Sequence, residues 1–178
     1  MQINWPDKCK PENTAVHVKN ELLMPGVELE GIWAWLCRPD LWPTWYKNCA
    51  YAYLKNQPHL DLRLGTEFCW KTFYVTIDST VREFVPHERL AWDAHCNGVQ
   101  AYHAWTFERR HSGVYVVTEE TQNGWLARMA AFVVPNRMWK WHQRWLEALS
   151  EMAKKGLPGT NEPHPEPCNE HSSHPSSK

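Results

Sequence analysis

The chain of 178 residues has no excess of charge of one sign, no long apolar run and no closely spaced cysteine pair. Its 19 Lys and Arg against 20 Asp and Glu give a formal net charge of -1, whereas a nucleic-acid module presents a basic face. We therefore expect no nucleic-acid partner. No apolar stretch approaches the roughly 18 residues of a membrane span, and residues 1–13 lack the apolar segment of a secretory signal. These absences predict a cytoplasmic protein without a transmembrane segment.

The motifs of several enzyme classes are absent as well. The sequence holds no recognisable Ser-His-Asp arrangement, no glycine-rich phosphate loop and no His-Glu-x-x-His pair. Its six cysteines match neither a zinc spacing nor a redox spacing. We therefore predict free thiols, no cofactor and no metal site.

Tryptophan, in contrast, is abundant, with twelve residues in one chain. The simplest interpretation of any one of them is a bulky core residue. The alternative is that several line a binding pocket, because aromatic side chains dominate the walls of small-molecule sites. The length is most simply that of one domain.

The last amphipathic segment before the C-terminal tail carries a single apolar stripe. Steps of three and four residues place its large side chains on one face of a helix, with His142 at the edge of that face. Residues 50–121 have the pattern of strands and turns, so this helix and one antiparallel sheet must cover each other. Bulky rings do not tile flat against a curved sheet, which favours a partly hollow interior that takes a small apolar ligand. The stripe consists of Met138, Trp141, Trp145, Leu149 and Met152.

The rest of the chain divides into short elements. Residues 15–24 alternate as a half-buried strand does, and Pro25-Gly26 ends that strand. Two short helices are predicted next, before a run of strands in which Asn97-Gly98 marks a two-residue hairpin. Pro135 is expected to kink or divide the final helical segment.

These patterns divide the chain into three regions. Residues 1–13 are predicted to be an irregular lead-in, residues 14–156 to form the folded domain, and residues 157–178 to be disordered. The last region is rich in Pro, Ser and His and has almost no apolar side chain with which to offset its ordering entropy. The spacing of His164, Cys168, His171 and His174 matches no closed tetrahedral metal site.

The order of one strand, two short helices, six antiparallel strands and one long helix resembles the START-like, or SRPBCC, superfamily. Within it the chain is most similar to the polyketide cyclase/dehydrase and lipid-transport branch. The likeness covers roughly residues 14–156. It rests on the segments ELLMPG (21–26), IWAWL (32–36), WPTWY (42–46), STVREFVP (79–86), RLAW (89–92), HAW (103–105) and TEET (118–121).

The resemblance implies an α+β helix-grip fold, in which a curved antiparallel sheet wraps around a long C-terminal helix and leaves a deep apolar cavity. It also implies that the two short helices, with Trp42, Trp45 and Tyr46, flank the entrance to that cavity.

The strand phase identifies inward-facing candidates for ligand contact. His103 shares a phase with apolar residues, so it is expected to face inward as a satisfied core imidazole, as a polar anchor for a ligand, or as a general acid or base. Glu119 or Glu120 could orient it, but both faces of their strand are partly apolar and the phase stays open. The predicted ligand-binding residues are Phe68, Trp70, Trp92, His103, Trp105, Met138, Trp141, Trp145 and Leu149.

Three functions remain open at this point. The first is a carrier or sensor that binds a small lipophilic molecule such as a polyketide, an isoprenoid or a fatty acyl compound. The second is a polyketide cyclase or dehydratase that uses the same cavity, for which His103 is the candidate catalytic residue. That chemistry needs two inward polar groups near one ligand atom, and the sequence identifies one. The third is a protein-interaction module, which a filled core and an apolar outer patch would favour.

Overall fold

The computed structural model describes residues 3–159. Seven antiparallel strands form one sheet in the order β1-β7-β6-β5-β4-β3-β2. The strands are β1 (Val16–Met24), β2 (Cys49–Leu54), β3 (Glu67–Thr72), β4 (Val75–Val85), β5 (Arg89–Cys96), β6 (Val99–Arg110) and β7 (Gly113–Asn123). The α-helices are α1 (Leu29–Leu36), α2 (Trp42–Trp45), α3 (Trp125–Val133) and α4 (Arg137–Lys154).

This architecture is the predicted helix-grip fold, so the α+β assignment is confirmed. A curved sheet that does not close packs against α4, and the two short helices follow the first strand. The predicted break at Pro135 is also present, because α3 ends at Val133 and Asn136 adopts a left-handed backbone with φ 64°.

Tight turns hold the strands in register. Phe73 and Tyr74 both have positive φ, and together they connect β3 to β4. Asn97-Gly98 connects β5 to β6, as the sequence predicts. At the start of β7, Gly113 has φ 141°, and a Cβ atom there would lie 2.2 Å from the carbonyl oxygen of Met24. Glycine is therefore required where β7 passes the end of β1.

The core between sheet and helix is built from aromatic rings. The ring of Trp145, on α4, is stacked on Tyr46 with centroids 4.4 Å apart and meets Trp42 and Trp105 at 5.2 Å. Trp145 and Leu149 are buried, whereas Met138, Trp141 and Met152 at the ends and edge of the stripe are half-buried. Most of the tryptophan therefore fills space, and the interior is far less hollow than the resemblance implies.

The lead-in is more ordered than the sequence predicts. It contains two single 3-10 turns, Asp7–Cys9 and Pro11–Asn13. Ile3 is buried on the outer face of the sheet against Ala91 and Tyr102. This segment therefore covers the side of the sheet that faces away from α4.

None of the helices within residues 3–159 is both long enough and apolar enough to cross a membrane. Of the predicted disordered tail, Leu157 to Gly159 belong to the described part, and Leu157 is exposed. Residues 160–178, with the four candidate metal ligands of the tail, lie outside the described residues.

Candidate functional site

His103 is held inward by its position in the middle of β6. It lies opposite Trp92 on β5 and opposite Glu120 on β7. Only 1% of its surface is exposed. Its Nε2 atom shares a hydrogen bond of 2.7 Å with the hydroxyl of Thr118. His103 therefore faces inward, as the sequence predicts.

Two further polar side chains meet His103 in the interior. Glu120 Oε2 lies 3.1 Å from His103 Nδ1 and 3.2 Å from Nε2 of His142, which projects from α4. The imidazole rings are nearly parallel, at 18°, with centroids 4.8 Å apart. Gln122 donates its amide to the other carboxylate oxygen at 2.5 Å. We refer to His103, Glu120 and His142 as the His-Glu-His cluster.

Burial and mutual contact set the charges of this cluster. Desolvation lowers the pKa of His103 to about 3, and the opposing attraction of Glu120 is the smaller effect. Burial alone would raise the pKa of Glu120, but the contacts with His142, His103 and Gln122 outweigh it and hold that pKa at about 2. At neutral pH an ionised carboxylate therefore faces a neutral His103 imidazole.

A small cavity adjoins the cluster between the sheet and α4. Its volume is about 40 Å³, and the rings of Tyr46, Trp70, Trp92 and Trp145 form its walls beside the cluster. At roughly 10–15 Å³ per water, it has space for about three water molecules. The indole nitrogens of Trp92 and Trp145 are buried and have no hydrogen-bond partner in the described part of the chain. The residues that line the cavity thus include an acceptor carboxylate and two rings whose indole donors are unpartnered.

A larger groove lies on the other side of Tyr46. It has a volume of about 690 Å³ and runs between α4, the end of β1 and the α2 region. Leu22, Trp45 and Trp141 contribute apolar walls, and Tyr46 lines both the groove and the internal cavity. The groove falls within the roughly 300–1,000 Å³ of ligand pockets, whereas the internal cavity does not. Tyr46 therefore separates the ligand-sized groove from the internal cavity, the polar inner end of the site.

The structure divides the predicted ligand-binding residues into four groups. Trp70, Trp92, His103 and Trp145 line the internal cavity, and Trp141 lines the groove. Phe68, Trp105 and Leu149 are buried in the core but line neither space. Met138 touches the amide of Gln122 through its sulfur, beside the cavity.

The sequence identifies one inward polar group, and the structure adds Glu120 and His142 beside it, with Thr118 and Gln122 hydrogen-bonded to the cluster. Glu120 is one of two possible partners of His103 in the sequence, but β7 is covered on both faces and its apolar pattern does not reveal the phase. His142 lies at the edge of the predicted helix stripe, and its burial follows from the packing of α4 over β7, which sequence spacing does not show. The expectation of a single polar group is therefore corrected.

The cluster contains residue types that ligate metal ions, and its ligand atoms lie within 4.8 Å of one another. In a tetrahedral zinc site with bonds of about 2.0–2.1 Å, neighbouring ligand atoms are about 3.3 Å apart. The two histidine nitrogens lie 3.1 and 3.2 Å from Glu120 Oε2, close to that spacing. The cluster supplies three possible ligands, one fewer than a closed tetrahedral zinc site has, and the absence of a metal remains a prediction.

Comparison with known proteins identifies one relative and the fold. No protein-family model and no curated protein matches the sequence. A solved structure of a hypothetical protein from Helicobacter pylori is 31% identical, with a TM-score of 0.80 over 86% of this chain and 96% of that chain. The di-domain ARO/CYC StfQ of the steffimycin biosynthetic pathway is 11% identical, with a TM-score of 0.66 over 81% of this chain.

A second di-domain ARO/CYC, BexL from the BE-7585A biosynthetic pathway, is 14% identical with a TM-score of 0.58 over 85% of this chain. This chain spans about half of StfQ and of BexL, 52% of each. At these identities the likeness to the two cyclases concerns the fold alone. The chain has the polyketide cyclase-like helix-grip fold of these structures. It belongs to the same family as the Helicobacter pylori protein.

Proposed function

We propose that this protein binds a small lipophilic molecule as a carrier or sensor. The polar end of the ligand occupies the internal cavity beside the His-Glu-His cluster, and its apolar body extends into the groove past Tyr46. Polyketides, isoprenoid alcohols and fatty acyl compounds combine an apolar body with at least one polar oxygen. A cytoplasmic location belongs to the same proposal, supported by the five described cysteines, which are free thiols.

The observation that carries the proposal is the combination of polar groups in an aromatic cage. An ionised Glu120 accepts hydrogen bonds only, and the indoles of Trp92 and Trp145 donate only. A buried donor without a partner costs about 1–3 kcal/mol, which a ligand oxygen accepting that bond would recover. A hydroxyl group satisfies both requirements, because it accepts from an indole and donates to a carboxylate.

Access to this inner end requires Tyr46 to move. Its ring is 2% exposed, is stacked on Trp145 and lies 6.3 Å from the ring of Trp141 in the groove. A cavity of about 40 Å³ holds water but not a lipophile. We infer that a ligand displaces Tyr46 towards the groove and so joins the two spaces into one site.

Filling the cavity from the sheet should block binding. Ala101 lines the cavity and faces Ala94 across the β5–β6 pair, so the two added methyl groups of Ala101→Val occupy the space that the ligand's polar end needs. We expect at least a tenfold loss of affinity for N-phenyl-1-naphthylamine, a neutral aromatic probe with one N–H donor, measured by fluorescence titration.

The matched control is Ala104→Val, the same change in the same strand on the outer face, where Ala104 packs against Ile3. It should leave the affinity for the probe unchanged while the protein stays folded. Equal affinity of both variants and the unsubstituted protein would contradict an internal site.

A second candidate function is a cyclase or dehydratase, and the His-Glu-His cluster is the specific observation in its favour. A neutral imidazole and an ionised carboxylate 3.1 Å apart supply the two inward polar groups that such proton transfers need. In the same titration His103→Gln should keep most probe affinity, because the aromatic walls remain. Turnover of a polyketide-like substrate that is lost in His103→Gln would identify an enzyme, and turnover that survives would remove His103 from catalysis.

A further inference from the structure

Helix α3 presents its apolar face to solvent. Trp125, Met129, Phe132 and Val133 follow one another at steps of four, three and one residues, so their side chains lie on one side of the helix. This spacing is typical of a helix face that packs on a core. Here that side is exposed, with Phe132 at 89% and Trp125 at 63%. Ala127 alone in this helix is buried. We define the α3 patch as Trp125, Met129, Phe132 and Val133, continued by Val134 and by Trp139 of α4.

Basic residues lie along the same stretch of chain as the α3 patch. Two of them stack on rings that line the cavity and the groove, Arg137 on Phe73 and Arg144 on Trp141. Between Glu120 and Glu147 the sequence has four basic residues and no acidic residue, although the whole chain carries a net charge of only -1. Within residues 3–159 none of the four lies in an ion pair, since no carboxylate is within 4.0 Å of them. The four are Arg128, Arg137, Lys140 and Arg144.

We propose that the α3 patch docks this protein on an anionic phospholipid surface. Exposed Trp and Phe side chains insert at the boundary between headgroups and acyl chains, and flanking Arg and Lys pair with anionic headgroups. The patch supplies both groups in one continuous stretch of chain. Gln122, which lines the internal cavity, lies three residues before Trp125, so the docked helix adjoins the end of the cavity.

The charge pattern favours a lipid surface over a second copy of the chain. In a two-fold dimer the same patch meets itself, so Arg128 and Lys140 would face like charges with no acidic residue in the segment to offset them. An anionic bilayer instead provides negative charge over the whole contact area. An acidic protein partner remains as an outcome that the experiment separates.

Vesicle co-sedimentation of the full-length protein tests the proposal without any ligand. We expect binding to mixed vesicles of phosphatidylcholine and anionic phosphatidylglycerol, and at least tenfold weaker binding to vesicles of phosphatidylcholine alone. Phe132→Asp should lower partitioning on the anionic vesicles at least tenfold, because it places a carboxylate at the most exposed ring of the patch. Leu64→Asp is the matched control, since Leu64 is 67% exposed in the loop before β3 and should leave partitioning unchanged.

Several results would overturn the proposal. One is equal binding to both vesicle types, and another is equal loss in Phe132→Asp and Leu64→Asp. A lack of vesicle binding, together with a dimer that Phe132→Asp dissociates in sedimentation velocity, would assign the patch to self-association. A lack of vesicle binding by a monomer would assign it to a protein partner. Loss of vesicle binding leaves the probe titration unaffected, so the two proposals fail independently.

Discussion

Replacing Trp145 by alanine should cost about 3–5 kcal/mol of unfolding free energy, the range for removing a buried Trp or Phe ring. Trp145 is 1% exposed and its ring meets those of Tyr46, Trp42 and Trp105 at centroid distances of 4.4, 5.2 and 5.2 Å. It is therefore a side chain through which α4 packs on both the sheet and the α2 region. For a chain of this size the loss corresponds to a fall in Tm of about 10 °C, measured by circular dichroism.

Trp139→Ala provides a control in the same helix with the same change of residue. Trp139 is 47% exposed, and its carbonyl oxygen, which accepts a hydrogen bond from Asn20, is retained in alanine. We expect a loss within about 0.5 kcal/mol, as for other surface substitutions. Equal losses at the two positions would mean that α4 does not pack on the sheet through Trp145.

Acidification from pH 7 to pH 5 should remove about 2 kcal/mol of stability through His103 alone. The folded-state pKa of His103 is about 3, below its ordinary 6.5, because burial disfavours the imidazolium ion. Between those values the unfolded chain binds a proton that the folded chain does not, so stability falls as the pH falls. From the ordinary pKa of 6.5 down to pH 5 is about 1.5 pH units. Each unit lowers the free energy of unfolding by about 1.36 kcal/mol, which gives the loss of about 2 kcal/mol.

Glu120 does not contribute in this window. Its pKa is lowered from 4.5 to about 2, so its stabilisation is fully present above pH 4.5 and is lost as the pH falls from there towards 2. Guanidinium denaturation at pH 7 and pH 5 should show the loss in the unsubstituted protein and in His17→Gln, an exposed histidine beside Glu119. In His103→Gln the difference between the two pH values should shrink by about 2 kcal/mol, because glutamine does not titrate. An unchanged difference would mean that His103 is not buried in its neutral form.

The fold was predictable because it follows from local pattern. The 3.6-residue stripe of α4, the alternation in β6 and the Asn97-Gly98 turn each have one structural interpretation, and the structure has all three. Pro135 divides the last helical segment as predicted, because proline has no backbone N–H to donate to a helical hydrogen bond. The orientation of His103 followed from the apolar residues that share its phase.

The candidate site was predictable only in part, because it depends on contacts between distant elements. Glu120 and His142 come together through the packing of α4 over β7, which no periodicity encodes. The volume of the interior depends on how the rings interlock: Trp42, Trp70, Trp92 and Trp145 meet edge to face or tilted and leave about 40 Å³. The exposure of α3 could not be predicted because its apolar spacing is that of a core helix.

Native mass spectrometry of the freshly purified full-length protein tests the central claim most directly. If the internal cavity and the groove form one ligand site, the spectrum should show an added mass that solvent extraction removes and that the extract contains as a lipophilic compound with a hydroxyl or carbonyl oxygen. Ala101→Val should lack that mass and Ala104→Val should retain it. An added mass equally present in both variants, or no small molecule bound by any of the three proteins even after incubation with a lipid extract, would contradict the account.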